Sequence, residues 1–292
     1  MDVLAGATRG WLVEMARGLA APLDARFDPC TWVPPATPGV CAGCHAACRV
    51  NVERCLACRT TAGQVARPIE GITPISLFRS GDEMWYLLRR YKDGRTAAER
   101  RHCRRGLARL LSQFLRFHLA CAAPGAGEGW LLTAVPPTRR RRERFPMERV
   151  IRWSPWLRRR YRRTLVTAKA PAHNRAGDGA FRVVRDVAGA DILLVDDTYT
   201  TGASVQSAVS ALRGAGARVV GVVVIGRVVN PAMRAEADLW AQATARPFRI
   251  DRCCQCGSPA QGNGAARRLG RGGRRAVPGA QREAPGKLEA YS

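Results

Sequence analysis

Two adjacent carboxylates, Asp196 and Asp197, stand between an apolar run and a hydroxyl-rich turn. Residues 192–195 before them are continuously apolar with β-branched members, which predicts a parallel strand covered on both faces. Ligands of open α/β sheets bind just beyond the carboxyl ends of the strands. A carboxylate pair at that place can accept hydrogen bonds from ribose hydroxyls or hold a hydrated Mg²⁺.

The turn after this pair has the composition of a phosphate site. Thr200, Thr201 and Ser204 supply hydroxyls, and Gly202 permits close approach of the backbone. Apolar residues at helical spacing follow over 205–212, and a helix N-terminus built in this way attracts phosphate. The alternative is structural, because an Asp-Asp pair can cap a helix and Thr-Gly can form a plain turn.

A second pattern that indicates chemistry is a set of four cysteines in two C-x-x-C pairs: Cys41, Cys44, Cys55 and Cys58. Two such turns can offer four thiolates tetrahedrally to one Zn²⁺. Since four protein ligands leave no open position, we expect the metal to fold the segment rather than to catalyse. His45 and Cys48 are spare candidates that could replace a thiolate, and free or redox-active thiols are the alternative.

The remaining cysteines have weaker patterns. Cys30 is isolated, and Cys103 and Cys121 fall in or near a predicted helix, where we expect inert buried thiols. His118 lies on the apolar stripe of that helix and is interpreted as a packed residue. A partial third group stands near the end of the chain without a matching pair nearby: Cys253, Cys254 and Cys256.

Composition limits the class of protein. A chain of 292 residues with 46% hydrophobic content can bury a core, and it favours one principal domain with appendages. No apolar stretch approaches the length of a bilayer span, and the N-terminus lacks the pattern of a secretory signal. Eleven cysteines, several in close pairs, favour metal ligation in a reducing compartment over disulfides. We therefore expect a cytoplasmic protein without a membrane span.

The formal net charge of +25 favours polyanionic partners, which include phosphorylated metabolites, nucleic acid and anionic surfaces. The arginine runs are local and fall at 138–144, 158–163 and in the tail. A solvated face or a compositional bias of the source genome is the alternative. Charge alone does not choose among these partners.

The segment 195–204 resembles the phosphoribosyl-pyrophosphate (PRPP) signature of type I phosphoribosyltransferases, in which an acidic dyad follows a strand and precedes a Thr-Thr-Gly loop. The resemblance implies a parallel-sheet, Rossmann-like α/β core, Mg²⁺ bound together with PRPP, and Asp196 and Asp197 as the catalytic pair. It assigns contacts with PRPP to the residues that follow: Thr198, Thr200, Thr201, Gly202, Ala203 and Ser204.

The four cysteines ahead of this signature resemble the zinc module of the ComF-like branch, named for bacterial competence proteins. Residues 85–94 are similar to that family's first helix and basic Tyr-Lys-x-Gly turn. The resemblance implies that Arg90 and Lys92 contact the pyrophosphate. It also implies Arg175 as a further phosphate contact. An ordinary helix end with a terminating glycine is the alternative. The chain departs from the family after the strand predicted at 130–135, where a basic segment at 139–145 replaces a Gly-Phe-Asn-Gln sequence.

Three regions follow from these patterns. We expect an N-terminal helix and a zinc-ribbon-like cysteine module over 1–69, a phosphoribosyltransferase-like domain over 70–250, and a disordered basic tail over 251–292.

Two functions remain open from the sequence. One is Mg²⁺-dependent transfer of a phosphoribosyl group from PRPP to an unidentified nucleobase or amine, with release of pyrophosphate and a structural Zn²⁺ in the cysteine module. The other is a non-catalytic ComF-like accessory protein in DNA uptake or processing, which binds single-stranded DNA or protein partners of the competence machinery. The sequence leaves the oligomeric state open.

Overall fold

A computed structural model of the chain describes residues 29–138, 145–168 and 174–256. The N-terminal helix expected ahead of the cysteines, the basic stretch at 139–144 and the tail from residue 257 lie outside the described residues. Among the helices of the described part, none is both long enough and apolar enough to cross a membrane.

The central sheet has four strands in the order β1–β6–β5–β2, and all neighbouring pairs are parallel. The strands are β1 (Thr73–Phe78), β2 (Leu131–Ala134), β5 (Asp191–Tyr199) and β6 (Arg218–Val228). Strand β5 runs through the dyad, so Asp196 and Asp197 belong to its last residues instead of following its end. The predicted α/β fold with a parallel sheet is confirmed.

Helices cover both faces of the sheet. One face carries α2 (Glu83–Asp93), α3 (Ala97–Ala122), α4 (Pro146–Ile151) and α5 (Pro155–Arg160). The other face carries α6 (Ala203–Gly214) and the cysteine module, which contains α1 (Leu56–Ala62). Alternate residues of β5 enter the two apolar cores, since Leu193 and Val195 pack on the first face and Ile192 and Leu194 on the second.

Helix α3 lies close to the sheet at its C-terminal end. A Cβ atom on Gly221 of β6 would lie 1.8 Å from the carbonyl oxygen of Ala122, so only glycine lets the helix end approach β6 in this way.

Two smaller elements complete the described fold. Strands β3 (Leu165–Thr167) and β4 (Phe181–Val183) form an antiparallel pair beside the sheet. Helix α7 (Arg234–Thr244) follows β6, and its Leu239 packs with Leu77 and Cys254. The start of the segment assigned to the tail is thus packed against the core, because Cys254 is only 1% exposed.

Candidate functional site

A cavity of about 560 Å³ opens at the carboxyl end of the parallel strands. Its lining comes from the end of β5, the start of α6, the end of α2, the segment after β2 and the start of α4. The residues predicted from the sequence that line it are Lys92, Asp196, Asp197, Thr198, Thr200 and Ser204. The fold therefore brings the acidic pair, two hydroxyl residues of the loop and one cation of the basic turn to one cavity.

Asp197 is held by two side chains from the end of α2. Lys92 at the end of α2 places its Nζ 2.5 Å from Asp197 Oδ2, and the hydroxyl of Tyr91 donates to the same oxygen. The Lys92 and Asp197 side chains are 15% and 11% exposed, so this ion pair is largely shielded from solvent. The backbone N–H of Asp197 donates to Asp196 Oδ1 at 2.8 Å, which fixes the second carboxylate beside the first.

The two carboxyl groups have opposite electrostatic environments. Burial and then the charge of Asp197 raise the pKa of Asp196 well above its usual range. Burial also acts to raise the pKa of Asp197, but the charge of Lys92 and hydrogen bonds from Lys92, Tyr91 and Thr198 outweigh it and lower that pKa. The charge of Lys92 is thus matched by Asp197, while Asp196 is held toward its neutral form.

Replacing Lys92 with methionine is expected to lower the free energy of unfolding at neutral pH by about 3 kcal/mol, because a buried ion pair then loses one partner. The lowered pKa of Asp197 stabilises the fold above the ordinary aspartate pKa of about 3.9, and this contribution is lost as the pH falls through the lowered value. The difference between the variant and the wild type should therefore be largest at neutral pH and shrink in acid. Urea unfolding over a pH series measures it.

Arg90→Met on the same helix is the matched control for Lys92→Met. Arg90 pairs with Glu99 at 3.3 Å, and its side chain is 38% exposed, so we expect a change below about 1 kcal/mol that varies little with pH. Equal effects of the two variants would contradict a special role of the pair between Lys92 and Asp197.

The loop after β5 is shaped by Gly202. This residue has φ of 87° and immediately precedes α6. A Cβ atom at this position would lie 2.1 Å from the hydroxyl oxygen of Tyr199, so both the backbone angle and the available space require glycine. The first backbone N–H groups of α6 follow directly, and Thr200 and Ser204 line the cavity on either side of the turn.

Several residues predicted to contact PRPP lie elsewhere. Arg90 contacts Glu99 and does not line the cavity, while Arg89 does. Arg175 is exposed on a different segment. The remaining three loop residues, Thr201, Gly202 and Ala203, shape the turn without lining the cavity; the carbonyl oxygen of Thr201 accepts a hydrogen bond from Thr61 in the cysteine module at 3.3 Å.

The cavity also contains a polar network that sequence reasoning missed. Glu148 of α4 is buried and accepts hydrogen bonds from Arg152 at 2.9 Å, from Arg163 at 2.8 Å and from the Tyr161 hydroxyl at 3.1 Å. Burial acts to raise the pKa of Glu148, but the hydrogen bonds from Arg163 and Arg152 outweigh it and lower that pKa. A short-range pattern could not reveal this group, since Glu148 and Arg163 come from separate elements. Tyr91 was within reach of sequence reasoning, because it belongs to the Tyr-Lys-x-Gly turn.

The four predicted zinc ligands converge on one point. The thiol sulfurs of Cys41, Cys44, Cys55 and Cys58 all lie within 4.8 Å of one another. The sulfurs of Cys41 and Cys58 are 3.9 Å apart, and those of Cys44 and Cys55 are 3.7 Å apart. Tetrahedral zinc with bonds of about 2.3 Å separates its sulfur ligands by about 3.8 Å. This group of four cysteines can therefore hold a metal ion, as the spacing predicts.

The surroundings of the four-cysteine group fit a bound metal. The backbone N–H of Cys55 donates to the sulfur of Cys41 at 3.2 Å, a contact that favours a thiolate. Arg227 lies nearby and is only 5% exposed. Burial acts to lower the pKa of this arginine, but the charge of Cys44 and a hydrogen bond with Cys44 outweigh it and raise that pKa. A buried cation beside four thiolates offsets the net negative charge that a Zn²⁺ site of this kind carries.

The two spare candidates are not part of this group. The Nδ1 atom of His45 lies 2.9 Å from the carbonyl oxygen of Pro34, and the thiol of Cys48 donates to the carbonyl oxygen of Val52 at 3.2 Å.

The cysteine module is in direct contact with the loop after β5. The sulfur of Cys58 lies 3.7 Å from the Tyr199 hydroxyl, the same hydroxyl that limits the space at Gly202. Together with the contact of Thr61 and Thr201, this places α1 of the module against the outer side of the loop. The module therefore contacts the loop through Cys58 and Thr61.

Comparison with known proteins gives no family assignment. No model of a known protein family matches the sequence, and a search of curated proteins returns no significant match. Conclusions about function therefore rest on the geometry of the cavity and on the residues that line it.

Proposed function

We propose that the chain binds PRPP with Mg²⁺ and transfers its phosphoribosyl group to a nucleobase or an amine, with release of pyrophosphate. The observation that carries this proposal is the meeting of the acidic pair, Lys92 and the hydroxyl loop at one cavity. The chemistry of each group matches one part of PRPP: carboxylates for ribose hydroxyls, a lysine for pyrophosphate, and a helix N-terminus for the 5′-phosphate.

The reaction breaks the bond between C1 of the ribose and the pyrophosphate oxygen, and pyrophosphate leaves with the bonding electron pair. A bond forms from C1 to the acceptor nitrogen, whose proton passes to the departing pyrophosphate or to water. Positive charge develops on the ribose ring while negative charge grows on the leaving group. The carboxylate of Asp197 favours the cationic ring, as would that of Asp196 when a bound cation keeps it ionised, and Lys92 favours the departing pyrophosphate. Contacts of Thr200 and Ser204 with the 5′-phosphate align C1, so remote binding energy is used for orientation. When bound at the acidic pair, Mg²⁺ would supply further neutralisation of the pyrophosphate charge.

The apolar part of the cavity lining suits the acceptor. Phe145, Met147 and Leu165 line this part of the cavity, and the guanidinium of Arg163 lies 3.9 Å from the centre of the Phe145 ring. An apolar and aromatic surface next to the polar group of Glu148 and Arg163 fits a flat heterocycle with polar edges better than an aliphatic amine.

Calorimetric titration of PRPP into the wild-type chain, with and without Mg²⁺, tests this proposal. We expect micromolar affinity that depends on Mg²⁺, with weaker binding of ribose 5-phosphate and of pyrophosphate because each makes only part of the contacts. Release of pyrophosphate is then measured with a panel of purine and pyrimidine bases. A folded chain that binds none of these compounds would remove the transferase proposal.

A basic groove supports a second candidate function, the binding of single-stranded nucleic acid. It lies between α3 and α4 and is lined by five arginines and one tryptophan: Arg100, Arg101, Arg104, Arg149, Arg152 and Trp153. Trp153 is 40% exposed, and the guanidinium of Arg105 lies 4.5 Å from the centre of its ring. Cations that follow a phosphate backbone beside an exposed aromatic ring are the features that such a site needs.

An Arg101→Ala, Arg149→Ala variant is expected to weaken binding of a labelled oligonucleotide at least about tenfold and to reduce the dependence of affinity on salt, because fewer counterions are released. Fluorescence anisotropy over a salt series measures both effects. Arg158→Ala, Arg159→Ala on α5 is the control, since it removes the same charge from exposed positions outside the groove. Equal losses in the two variants would indicate attraction by net charge alone.

A further inference from the structure

The end of α3 and the last described turn of the chain bring together a second set of metal-ligating side chains. Its members are His118, Cys121, Cys253 and Cys256, whose ligand atoms all lie within 4.8 Å of one another. By sequence spacing alone, the C-terminal cysteines have no matching pair nearby, and His118 and Cys121 are expected to be packed residues of a helix. The fold supplies the missing pair from a helix more than a hundred residues earlier.

We infer that these four side chains form a second zinc site, with three thiolates and one imidazole as ligands. The sulfur of Cys256 lies 3.3 Å from that of Cys253, 3.6 Å from that of Cys121 and 3.3 Å from Nδ1 of His118. Tetrahedral zinc, with bonds of about 2.3 Å to sulfur and about 2.0 Å to nitrogen, separates its ligand atoms by about 3.5–3.8 Å. The three distances from the Cys256 sulfur lie within about 0.5 Å of these separations.

His118 is oriented as a metal ligand. Its Nδ1 faces the sulfur of Cys256, while its Nε2 lies 2.9 Å from the carbonyl oxygen of Ile250. When one ring nitrogen donates a hydrogen bond to a backbone carbonyl, the tautomer is fixed and the other nitrogen can bind a metal. The backbone of α3 is also non-helical at this residue, with φ of −125° and ψ of 19°. Helix α3 is therefore kinked at His118.

The two halves of the site have the spacing of zinc-binding segments. His118 and Cys121 are three residues apart on α3, which places them on one face of the helix. Cys253 and Cys256 form a C-x-x-C turn, closed by a backbone hydrogen bond of 3.1 Å between the N–H of Cys256 and the carbonyl of Cys253. The intervening Cys254 points elsewhere, since it packs with Leu77 and Leu239 and is 1% exposed.

Four protein ligands make this a closed, structural site that fastens the end of the described chain to α3. Gln255 within the turn also lies near the cysteine module, with its Nε2 3.5 Å from Nε2 of His45. The turn therefore lies between α3 and the N-terminal module. Cys256 is exposed, whereas Cys41, Cys44 and Cys58 are at most 5% exposed, so we expect a chelator to remove the second zinc before the first.

Native mass spectrometry of the full chain, purified under reducing conditions, tests the inference by counting zinc. We expect two ions in the wild type, one in the Cys253→Ser, Cys256→Ser variant, and two in the control Cys254→Ala, which changes the cysteine between the ligands. A variant that keeps the zinc content of the wild type would overturn the site. The site would also be overturned if the wild type lacks the second ion and its Cys253 and Cys256 are joined by a disulfide.

X-ray absorption at the zinc edge gives a test that needs no variant. The two groups together contain seven thiolates and one imidazole, so the average shell should hold about seven sulfurs for each nitrogen. Partial chelation should then raise the sulfur fraction, because the more exposed site loses its zinc first. A zinc coordination shell that contains sulfur but no nitrogen would mean that only the four-cysteine site binds zinc, and it would refute the second site. Neither measurement depends on binding of PRPP.

Discussion

Replacing Asp196 and Asp197 together with asparagine is expected to weaken the binding of PRPP with Mg²⁺ at least about 100-fold, which corresponds to about 2.7 kcal/mol. Each carboxylate can accept a hydrogen bond from a ribose hydroxyl, and hydrogen bonds to charged groups contribute about 1.5–3 kcal/mol. Asparagine keeps the shape of the side chain but removes the charge that would hold the cation. Calorimetric titration of the wild type and the variant measures the loss.

The fold of this double variant should persist. Asp196 has a raised pKa because burial and its neighbour disfavour its charge, so removing both charges also removes a repulsion. The loss of the partner of Lys92 acts in the opposite direction. A single cooperative thermal transition, even at a lowered Tm, would show that the variant is folded and that the lost affinity arises at the site.

Asp191→Asn is the matched control for the double variant. Asp191 belongs to the same strand, but it lies at the opposite end, where its carboxylate pairs with Arg218 at 2.5 Å. The Arg218 side chain is 62% exposed, so solvent screens this pair and its loss should change stability little. Binding of PRPP should be unchanged in the control. Full affinity in the Asp196→Asn, Asp197→Asn variant would place the PRPP site, if there is one, outside this cavity.

Local patterns in the sequence were sufficient to predict the centre of the fold. The apolar run at 192–195, predicted as a strand, lies within β5, because burial on both sides of a parallel sheet leaves continuous apolar runs between turns. The helix predicted at 205–212 lies within α6. The four-cysteine group could also be predicted from its two C-x-x-C pairs, because all four residues fall within a short stretch of the chain.

Contacts between distant segments could not be predicted in the same way. Tyr91 and Asp197 are 106 residues apart, and His118 and Cys256 are 138 residues apart. Which side chains meet depends on the order of the strands and on the rotation of each helix. Arg89 and Arg90 show the effect of helix rotation, because only Arg89 faces the cavity although the two residues are adjacent. Pattern and spacing carry no information about these choices.

Replacing Cys41 and Cys58 with serine is expected to remove the zinc of the N-terminal module and to destabilise the chain by at least about 4 kcal/mol. Zinc binding contributes about 10–16 kcal/mol to the folding of small zinc-finger peptides, and serine does not replace a thiolate as a ligand. For a domain of this size, a loss of about 4 kcal/mol lowers Tm by roughly 8–16 °C. Calorimetry and a zinc assay on the purified variant measure both changes.

The same variant should also lose affinity for PRPP, although no zinc ligand lines the cavity. Cys58 contacts the hydroxyl of Tyr199, and Tyr199 borders Gly202, the residue that sets the turn before α6. Unfolding of the module would also remove the contact between Thr61 and the carbonyl of Thr201. The loop would then adopt several conformations, and PRPP would bind only the competent fraction.

Cys48→Ser separates this effect from a general sensitivity to losing a cysteine. Cys48 lies in the same module, but its thiol donates to Val52 and does not belong to the four-cysteine group. We expect this control to keep its zinc, its Tm and its affinity for PRPP. If the Cys41→Ser, Cys58→Ser variant loses zinc yet binds PRPP like the wild type, the module stabilises its own segment only. If affinity falls together with zinc content, the contact through Cys58 and Tyr199 couples the metal to the phosphate loop.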